Sequence, residues 1–276
     1  MTARTREHQS RPQGARRRLC AAAALACAIL AASLPGAVIG TLLGAAHSVA
    51  ASFDENALWK IVHGLCVVDE KHLHSPAPCA SVDLSGGEEA GSAILKDING
   101  KTQFLLIPTR RVTGIEDPLI GTAAAPNYWH AAWAARALVS KNAGKDLPRE
   151  DIGMAINGVG SRTQDQLHIH VDCVRADVRA ALQTGAAEIG DKWGDFRLLG
   201  RVYRARRISG EEPDPAPFRL LAEDRPSFPL ADDSLAVIGV RFSGGAPGFV
   251  LLAEKALHGT THAENLLDHS CALAAE

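Results

Sequence analysis

Two histidines separated by a single residue mark the stretch of the sequence best suited to catalysis. They lie in the run Gln166–Cys173, in which polar and apolar residues alternate. Since successive side chains of a strand point to opposite faces, this run predicts a strand with one polar and one apolar face. The polar face comprises Gln166, His168, His170 and Asp172. A neutral imidazole is nucleophilic near neutral pH, so a histidine on this face could attack phosphorus.

The loop before this strand contains groups that bind phosphate. Residues 158–164 read Gly-Val-Gly-Ser-Arg-Thr-Gln. Backbone N–H groups of such a loop, together with a hydroxyl and a guanidinium, can form a cradle for an oxyanion or a phosphate. A pair of histidines by itself more often has a structural role than a functional one. The loop directly before the strand is what favours a functional site here.

Two mechanisms are open for these residues. In the first, one histidine attacks phosphorus and the other orients the phosphate, without a metal ion or another cofactor. In the second, His168, His170 and Asp172 bind a metal ion from one face of the strand, as in a metal-dependent phosphoesterase. The next histidine along the chain is His258, so a binuclear centre would lack ligands nearby. We therefore expect the metal-free mechanism.

The elements that position this strand follow from hydrophobic spacing and turn residues. A helix is predicted after the capping box at Ser52–Glu55, and a hairpin around Asn99-Gly100, where a tight turn needs positive φ. The remaining elements are a helix over Pro126–Ser140, strands over Ile152–Asn157 and Gln166–Cys173, and a helix around Val178–Ile189. This order predicts an α+β fold with an antiparallel sheet.

The last third of the sequence predicts a second hairpin. A proline-rich connector at 211–217 precedes two apolar runs, Leu235–Phe242 and Gly248–Ala253, with a glycine-containing turn between them. This hairpin weakly resembles the first one. A degenerate second half with a sub-boundary near 211–217 is one interpretation, and a chance likeness of two hairpins is the other.

Composition excludes several classes of protein. The chain has 276 residues, of which 46% are hydrophobic and 22% charged, so it is not disordered, collagen-like or a small disulfide scaffold. The net charge is −2, and six arginines are concentrated in residues 1–18. A nucleic-acid-binding domain would carry its basic residues on the folded surface, so no nucleic-acid partner is expected.

The N-terminal region predicts export. Residues 19–50 contain no charged side chain and are long enough to cross a bilayer as a helix. The basic residues 1–18 would stay in the cytoplasm, and residues 52–276 would form an exported catalytic domain. A removed signal peptide is the alternative, but the length of the segment favours an uncleaved single-pass transmembrane anchor in the inner membrane.

Four cysteines of the exported region would lie in an oxidising compartment: Cys66, Cys79, Cys173 and Cys271. They allow three pairings, which the sequence alone does not distinguish. We expect Cys66 to pair with Cys79 across a short loop with two prolines, so that Cys173–Cys271 ties the C-terminal tail to the middle of the chain. Four buried free thiols are the alternative.

Several segments, taken in order, resemble a known family. Gln166–Val171 is similar to the histidine-triad motif, whose middle histidine attacks a nucleotide α-phosphate, and 97–111 is similar to the strand pair of that superfamily. Together with Pro126-Asn-Tyr-Trp and the ending Asp268-His-Ser-Cys, these segments make the chain resemble the bacterial CDP-diacylglycerol pyrophosphatase family.

The resemblance implies a histidine-triad-like α+β fold and a reaction. The expected enzyme hydrolyses the diphosphate of CDP-diacylglycerol to CMP and phosphatidate at a membrane, through a nucleotidyl-histidine and without a cofactor. A metal-dependent phosphoesterase and a nucleotide-binding module without turnover are the alternatives.

The resemblance also implies roles for individual residues. His168 is the expected nucleophile and His170 the partner that contacts the phosphate. Gln166 stands where the triad has its first histidine, and it can exchange hydrogen bonds but carries no charge. The expected substrate-binding residues are Asp97 for the ribose, Asn157 and Thr163 for the imidazole or phosphate, and Arg111 and Arg162 for the diphosphate charge.

Overall fold

Nine β-strands form one sheet in the computed structural model, which describes residues 54–225, 230–256 and 261–275. The strands are β1 (Ser81–Asp83), β2 (Ser92–Lys96), β3 (Phe104–Pro108), β4 (Ile152–Ile156), β5 (Ile169–Cys173), β6 (Gly194–Leu198), β7 (Arg201–Ser209), β8 (Asp233–Arg241) and β9 (Pro247–Lys255). Their order across the sheet is β1-β2-β3-β5-β4-β8-β9-β7-β6. These neighbouring strands pair antiparallel.

The described part of the chain contains six α-helices, which lie on the sheet. They are α1 (Ala57–Ile61), α2 (Val67–Leu73), α3 (Tyr128–Ala134), α4 (Arg136–Ala143), α5 (Ala176–Gly185) and α6 (Pro217–Asp224). A π-helical turn over Val62–Cys66 joins α1 to α2. Asn127 caps α3 by accepting a hydrogen bond from the His130 backbone N–H, as expected for an asparagine before a helix.

Helices cover both faces of the sheet. On one face, Trp133 of α3 packs edge-on against Phe249 of β9, with 4.9 Å between the ring centroids. Ile169 of β5 belongs to this same core, which confirms the predicted apolar face of the strand. His170 pairs with Leu105 of β3, which packs under α1 and α2. The histidine face of β5 is therefore the face that α1 and α2 cover.

The first predicted hairpin is confirmed. β2 and β3 pair in register from Lys96↔Phe104 to Ser92↔Pro108, and Gly100 in the intervening turn has φ +67°. The second predicted hairpin is confirmed as β8 and β9. The helix predicted over Pro126–Ser140 is divided at Ala135 into α3 and α4.

The predicted fold class is wrong. In place of an α+β histidine-triad-like fold with a degenerate second half, the chain forms one mostly antiparallel nine-stranded sheet with few helices. Spacing did not predict β6 and β7, which pair with each other and with β9. β4 and β8 would each be an exposed sheet edge if they did not pair with each other. Their antiparallel pairing joins the strands on either side into one sheet.

The predicted transmembrane segment, residues 19–50, lies outside the described residues. In the part of the chain that the structure describes, no helix has both the length and the apolar character needed to cross a membrane. The predicted transmembrane helix and single-pass inner-membrane location are corrected on this ground, since the structure does not support them.

Two disulfides form as expected, Cys66–Cys79 and Cys173–Cys271. The second holds the C-terminal tail against the end of β5. Two backbone hydrogen bonds reinforce this contact, from the Asp268 N–H to the Cys173 carbonyl at 2.8 Å and from the Arg175 N–H to the Leu266 carbonyl at 3.1 Å. The tail therefore lies directly beside the strand that carries the histidines.

The two disulfides should stabilise the protein unequally. The Cys173→Ala/Cys271→Ala double variant opens a loop whose ends are 98 residues apart, against 13 for Cys66→Ala/Cys79→Ala. Because a longer closed loop restricts the unfolded chain more, we expect losses in unfolding free energy of about 4–5 and about 3 kcal/mol, respectively. Urea denaturation of both double variants measures this, and a larger loss for the short loop would contradict the expectation.

Candidate active site

A cleft of about 540 Å³ opens on the histidine face of the sheet. Five parts of the chain line it: α1, the end of β2 with its following turn, β3, the segment from β4 to β5, and the tail at Glu264. Six of the residues expected to form a site are brought together there: Asp97, Asn157, Arg162, Thr163, His168 and His170.

Two of the expected residues do not line the cleft. Arg111 donates from Nη2 to Asn56 Oδ1 at 2.5 Å and lies over the ring of Trp59. Gln166 is fully buried, and its Nε2 donates to the carbonyl oxygens of Pro108 at 3.1 Å and Arg110 at 2.9 Å. Contact of either side chain with substrate stays a prediction.

His168 is held by the backbone beside it. Its Nδ1 lies 2.8 Å from the Gln166 carbonyl oxygen. A carbonyl oxygen only accepts hydrogen bonds, so Nδ1 carries a hydrogen and Nε2 of the neutral ring keeps its lone pair. Burial lowers the pKa of His168, and the hydrogen bond to Gln166 opposes this only in part. The ring is therefore neutral at pH 7.

His170 lies 5.0 Å from His168, measured between ring centroids. Its Nδ1 is 2.6 Å from Gln103 Nε2 and 3.2 Å from Glu264 Oε1. Burial and the neighbouring His168 lower the pKa of His170 to about 3, although Glu264 opposes them. Its Nε2 is buried and has no hydrogen-bond partner among the described residues. His170 is thus a second neutral imidazole.

The polar residues of the β4–β5 segment are engaged with protein groups. Arg162 forms ion pairs with Glu116 at 2.5 Å and Asp165 at 3.0 Å, which compensate its charge. Asn157 donates from Nδ2 to Glu264 Oε2 at 2.9 Å, rather than to an imidazole. Thr163 is exposed at the cleft.

Asp97 follows β2 at the edge of the cleft. Its Oδ1 accepts a hydrogen bond from the Asn99 N–H at 2.9 Å, and its Oδ2 accepts one from Gln103 Nε2 at the same distance. The carboxylate is thereby fixed in orientation and keeps further acceptor capacity for a hydroxyl.

Three charged groups of the tail and β5 form a network that motif analysis missed. His269 donates from Nδ1 to Asp172 Oδ2 at 3.0 Å, and its Nε2 lies 3.3 Å from Glu264 Oε1. The two carboxylates raise the pKa of His269 to about 10, against the effect of burial. His269 is therefore an imidazolium at neutral pH. The signal was present, because the expected Cys173–Cys271 disulfide brings this part of the tail next to Asp172.

The donors of the metal alternative do not assemble. Asp172 is completely buried and accepts hydrogen bonds from Thr102 Oγ1 at 2.6 Å, the Cys173 N–H at 2.8 Å and His269. It does not line the cleft with His168 and His170. Within residues 54–225, 230–256 and 261–275, no group of three or more His, Cys, Asp or Glu side chains is arranged to hold a metal ion.

Two comparisons relate the chain to known proteins. A family model described as CDP-diacylglycerol pyrophosphatase matches residues 53–275. A protein of Yersinia pestis named CDP-diacylglycerol pyrophosphatase is 40% identical over 223 residues, which cover 78% of this chain and 84% of the relative. The chain belongs to the CDP-diacylglycerol pyrophosphatase family. The match includes every residue that lines the cleft.

Membership of the CDP-diacylglycerol pyrophosphatase family confirms two predictions made from the motifs. The family itself is the expected one, and the chain is a hydrolase that acts on a pyrophosphate bond. The alternative of a binding module without turnover is set aside.

The imidazolium of His269 should contribute to stability in a pH-dependent way. Its folded-state pKa of about 10 exceeds the ordinary 6.5, so the contribution is complete below pH 6.5 and disappears as the pH rises towards 10. We expect the difference in unfolding temperature between wild type and His269→Gln to be largest near pH 6 and to shrink through this range.

Thermal unfolding at several pH values measures this difference. His262→Gln is the matched control, because His262 is an exposed residue of the same tail. A difference for His269→Gln that stays constant between pH 6.5 and about 10 would show that the charge of His269 is not what matters.

Proposed function

We propose that the protein hydrolyses CDP-diacylglycerol by covalent catalysis, with His168 as the nucleophile. The activity itself, hydrolysis of this nucleotide-lipid, follows from membership of the CDP-diacylglycerol pyrophosphatase family. What we add is the route to CMP and phosphatidate, the residues that perform it, and the part of the cleft that each half of the substrate occupies.

The observation that carries the proposal is the hydrogen bond between His168 Nδ1 and the Gln166 carbonyl oxygen. This bond leaves the lone pair on Nε2, and burial keeps the ring uncharged. A neutral imidazole nitrogen with a free lone pair is what nucleophilic attack on phosphorus requires. The His168 side chain lines the cleft, where a phosphate can approach it.

The reaction then divides into two displacements. His168 Nε2 forms a bond to the phosphorus that bears cytidine, and the bond from this phosphorus to the bridging oxygen breaks, so that its electron pair leaves with phosphatidate. Water attacks the same phosphorus in the second displacement. The phosphorus–nitrogen bond breaks, its electron pair returns to Nε2, CMP departs, and the proton of the water passes to solvent. Covalent catalysis thereby replaces one difficult step by two easier ones.

The diphosphate charge needs a cation that is free to interact with it. The charge of Arg162 is compensated by Glu116 and Asp165, so Arg162 is a weaker candidate for binding the diphosphate than an arginine without such partners would be. Lys96 lines the same cleft, and its Nζ contacts groups that carry no charge: it donates to the carbonyl oxygens of Asp97 at 2.6 Å and Gly100 at 2.9 Å and lies over the ring of Phe104. We assign the stabilisation of developing negative charge to Lys96.

The nucleoside fits the side of the cleft formed by α1, β2 and β3. Asp97 retains acceptor capacity for the ribose hydroxyls. Apolar side chains line the cleft on the same side, and they offer a surface for one face of the base: Leu58, Ile61, Leu95 and Leu105. The acyl chains would extend away from this side, so the protein would meet a lipid surface during turnover.

Replacement of the nucleophile should abolish turnover. We expect His168→Ala to lower the rate of CMP release by at least about a thousandfold, because the covalent route is lost. With substrate radiolabelled at the cytidine-side phosphorus, wild-type enzyme quenched in base should carry the label on His168, since phosphorus–nitrogen bonds to histidine survive base better than acid. Peptide mapping by mass spectrometry locates the adduct.

His130→Ala is the control for this experiment, because His130 is an exposed residue of α3 outside the cleft. It should keep both the adduct and the rate. Chelator-treated wild-type enzyme should also form the adduct. A folded His168→Ala protein that still releases CMP at the wild-type rate, or label on another residue, would contradict the assignment.

The value of kcat/KM should fall at acid pH and stay constant near neutral pH. His168 reacts only when neutral, and burial places its pKa below the ordinary 6.5. We therefore expect kcat/KM to be constant from about pH 7 to about pH 8 and to fall as the pH drops well below 6.5. Steady-state assays in mixed micelles measure the profile. A midpoint above 6.5 would mean that a different group limits the rate.

A further inference from the structure

A buried amide lies between the carboxylates of the cleft and its second histidine. Gln103 precedes β3 and is completely buried. Its Nε2 is 2.6 Å from His170 Nδ1, 2.9 Å from Asp97 Oδ2 and 3.2 Å from Glu264 Oε1. No contact of this residue was expected from the sequence motifs, and its position joins both carboxylates to a catalytic ring.

The carboxylates determine which way this amide points. The reverse orientation would place Gln103 Oε1 against the oxygens of Asp97 and Glu264, where two negative groups would repel it. In the orientation observed, Oε1 lacks a hydrogen-bond partner among the described residues, but the nitrogen faces two acceptors that carry charge. One missing hydrogen bond costs less than two repulsive contacts together with an unpaired N–H.

The orientation of the amide decides the tautomer of His170. An amide nitrogen has no lone pair to offer, so at 2.6 Å Gln103 Nε2 donates to His170 Nδ1, and its second hydrogen goes to Asp97 Oδ2 at 2.9 Å. Glu264 Oε1, at 3.2 Å, attracts the same N–H groups but receives no hydrogen of its own. The single ring hydrogen then lies on Nε2. A doubly protonated ring would place two hydrogens between the nitrogens of this short contact. The ring is therefore held neutral, with a buried Nε2–H that has no protein partner in the described part of the chain.

We propose that Gln103 is a positioning residue that fixes His170 as the Nε2–H tautomer, so that His170 donates a hydrogen bond to the phosphate under attack by His168. This proposal rests on the proposed function, because it assigns the unpartnered donor to the substrate of that reaction. Glu264 is the second positioning residue, since its carboxylate keeps the amide of Gln103 in the orientation that donates.

The tail explains how Glu264 keeps its place. Its Oε2 accepts from Asn157 Nδ2, and its backbone N–H donates to Asn157 Oδ1 at 3.2 Å. His269 lies against Oε1 and is in turn held by Asp172. Glu264 is thus fixed from two directions, so the face it presents to Gln103 does not depend on solvent.

The tautomer of His170 can be measured in the absence of substrate. Long-range proton–nitrogen NMR of the enzyme at pH 7 should show a protonated Nε2 and an unprotonated Nδ1 for His170. In Gln103→Met, which keeps the volume but removes the donor, the nearest acceptor of Nδ1 is Glu264 Oε1 at 3.2 Å. We therefore expect the hydrogen to move to Nδ1 in this variant.

Gln103→Met should lower kcat and leave KM nearly unchanged. Removal of one preorganised hydrogen-bond donor lowers kcat by about a hundredfold to a thousandfold. In Gln103→Met the donor of His170 is misplaced but not removed, so we expect kcat to fall by about tenfold to a hundredfold. KM should change by less than about threefold. Glu264→Gln should give a smaller loss and a mixture of His170 tautomers. His262→Gln, in the same tail, is the control and should change neither readout.

Each outcome bears on the proposal separately from the covalent mechanism. A wild-type His170 with its hydrogen on Nδ1, or a folded Gln103→Met protein with wild-type kcat, overturns the positioning role even if the adduct on His168 is found. If Gln103→Met does not fold, the wild-type spectrum and Glu264→Gln decide. A missing adduct combined with the expected tautomer overturns the covalent mechanism and leaves the positioning of His170 by Gln103 intact.

Discussion

The hydrogen bond from His168 Nδ1 to the Gln166 carbonyl oxygen determines which nitrogen of this ring keeps a free lone pair. It works only if that carbonyl is fixed, and the Gln166 side chain fixes it by donating to the carbonyl oxygens of Pro108 and Arg110. Gln166, which the motif was expected to place where the triad has its first histidine, therefore contacts His168 through its backbone. Its amide anchors the entry of β5, and an ionisable ring at this position would not be needed for that task.

The surroundings of His168 and His170 keep both rings neutral. Asp172 and Glu264 would each pay a large desolvation cost if buried alone, and His269 lies between them as the compensating cation. The imidazolium offsets one of the two carboxylate charges, and Glu264 meets His170 Nδ1 both directly, at 3.2 Å, and through the uncharged amide of Gln103. Burial then acts on His168 and His170 to lower their pKa values without a nearby carboxylate strong enough to reverse the effect.

Local patterns of the sequence predict the central part of this site but not its periphery. The alternation in Gln166–Cys173 predicted the two faces of β5, and Asn99-Gly100 predicted the turn between β2 and β3. The hairpin of β6 and β7 was missed because most of the side chains in both strands are not buried, so alternation is weak. Its turn contains Leu199 at φ +49° before Gly200, an unusual residue for that conformation.

Contacts between residues far apart in the chain set the limits of prediction more than element boundaries do. Arg162 and Lys96 are both cations of the cleft, and nothing in their local sequence says that Glu116 compensates the first while only uncharged groups are described around the second. Glu264 is 161 positions from Gln103, and only the disulfide between Cys173 and Cys271 constrains that distance from the sequence. A cysteine pairing is therefore more than a source of stability here. It places the carboxylate that contacts Gln103, and in the proposal above Gln103 in turn sets which nitrogen of His170 carries the hydrogen.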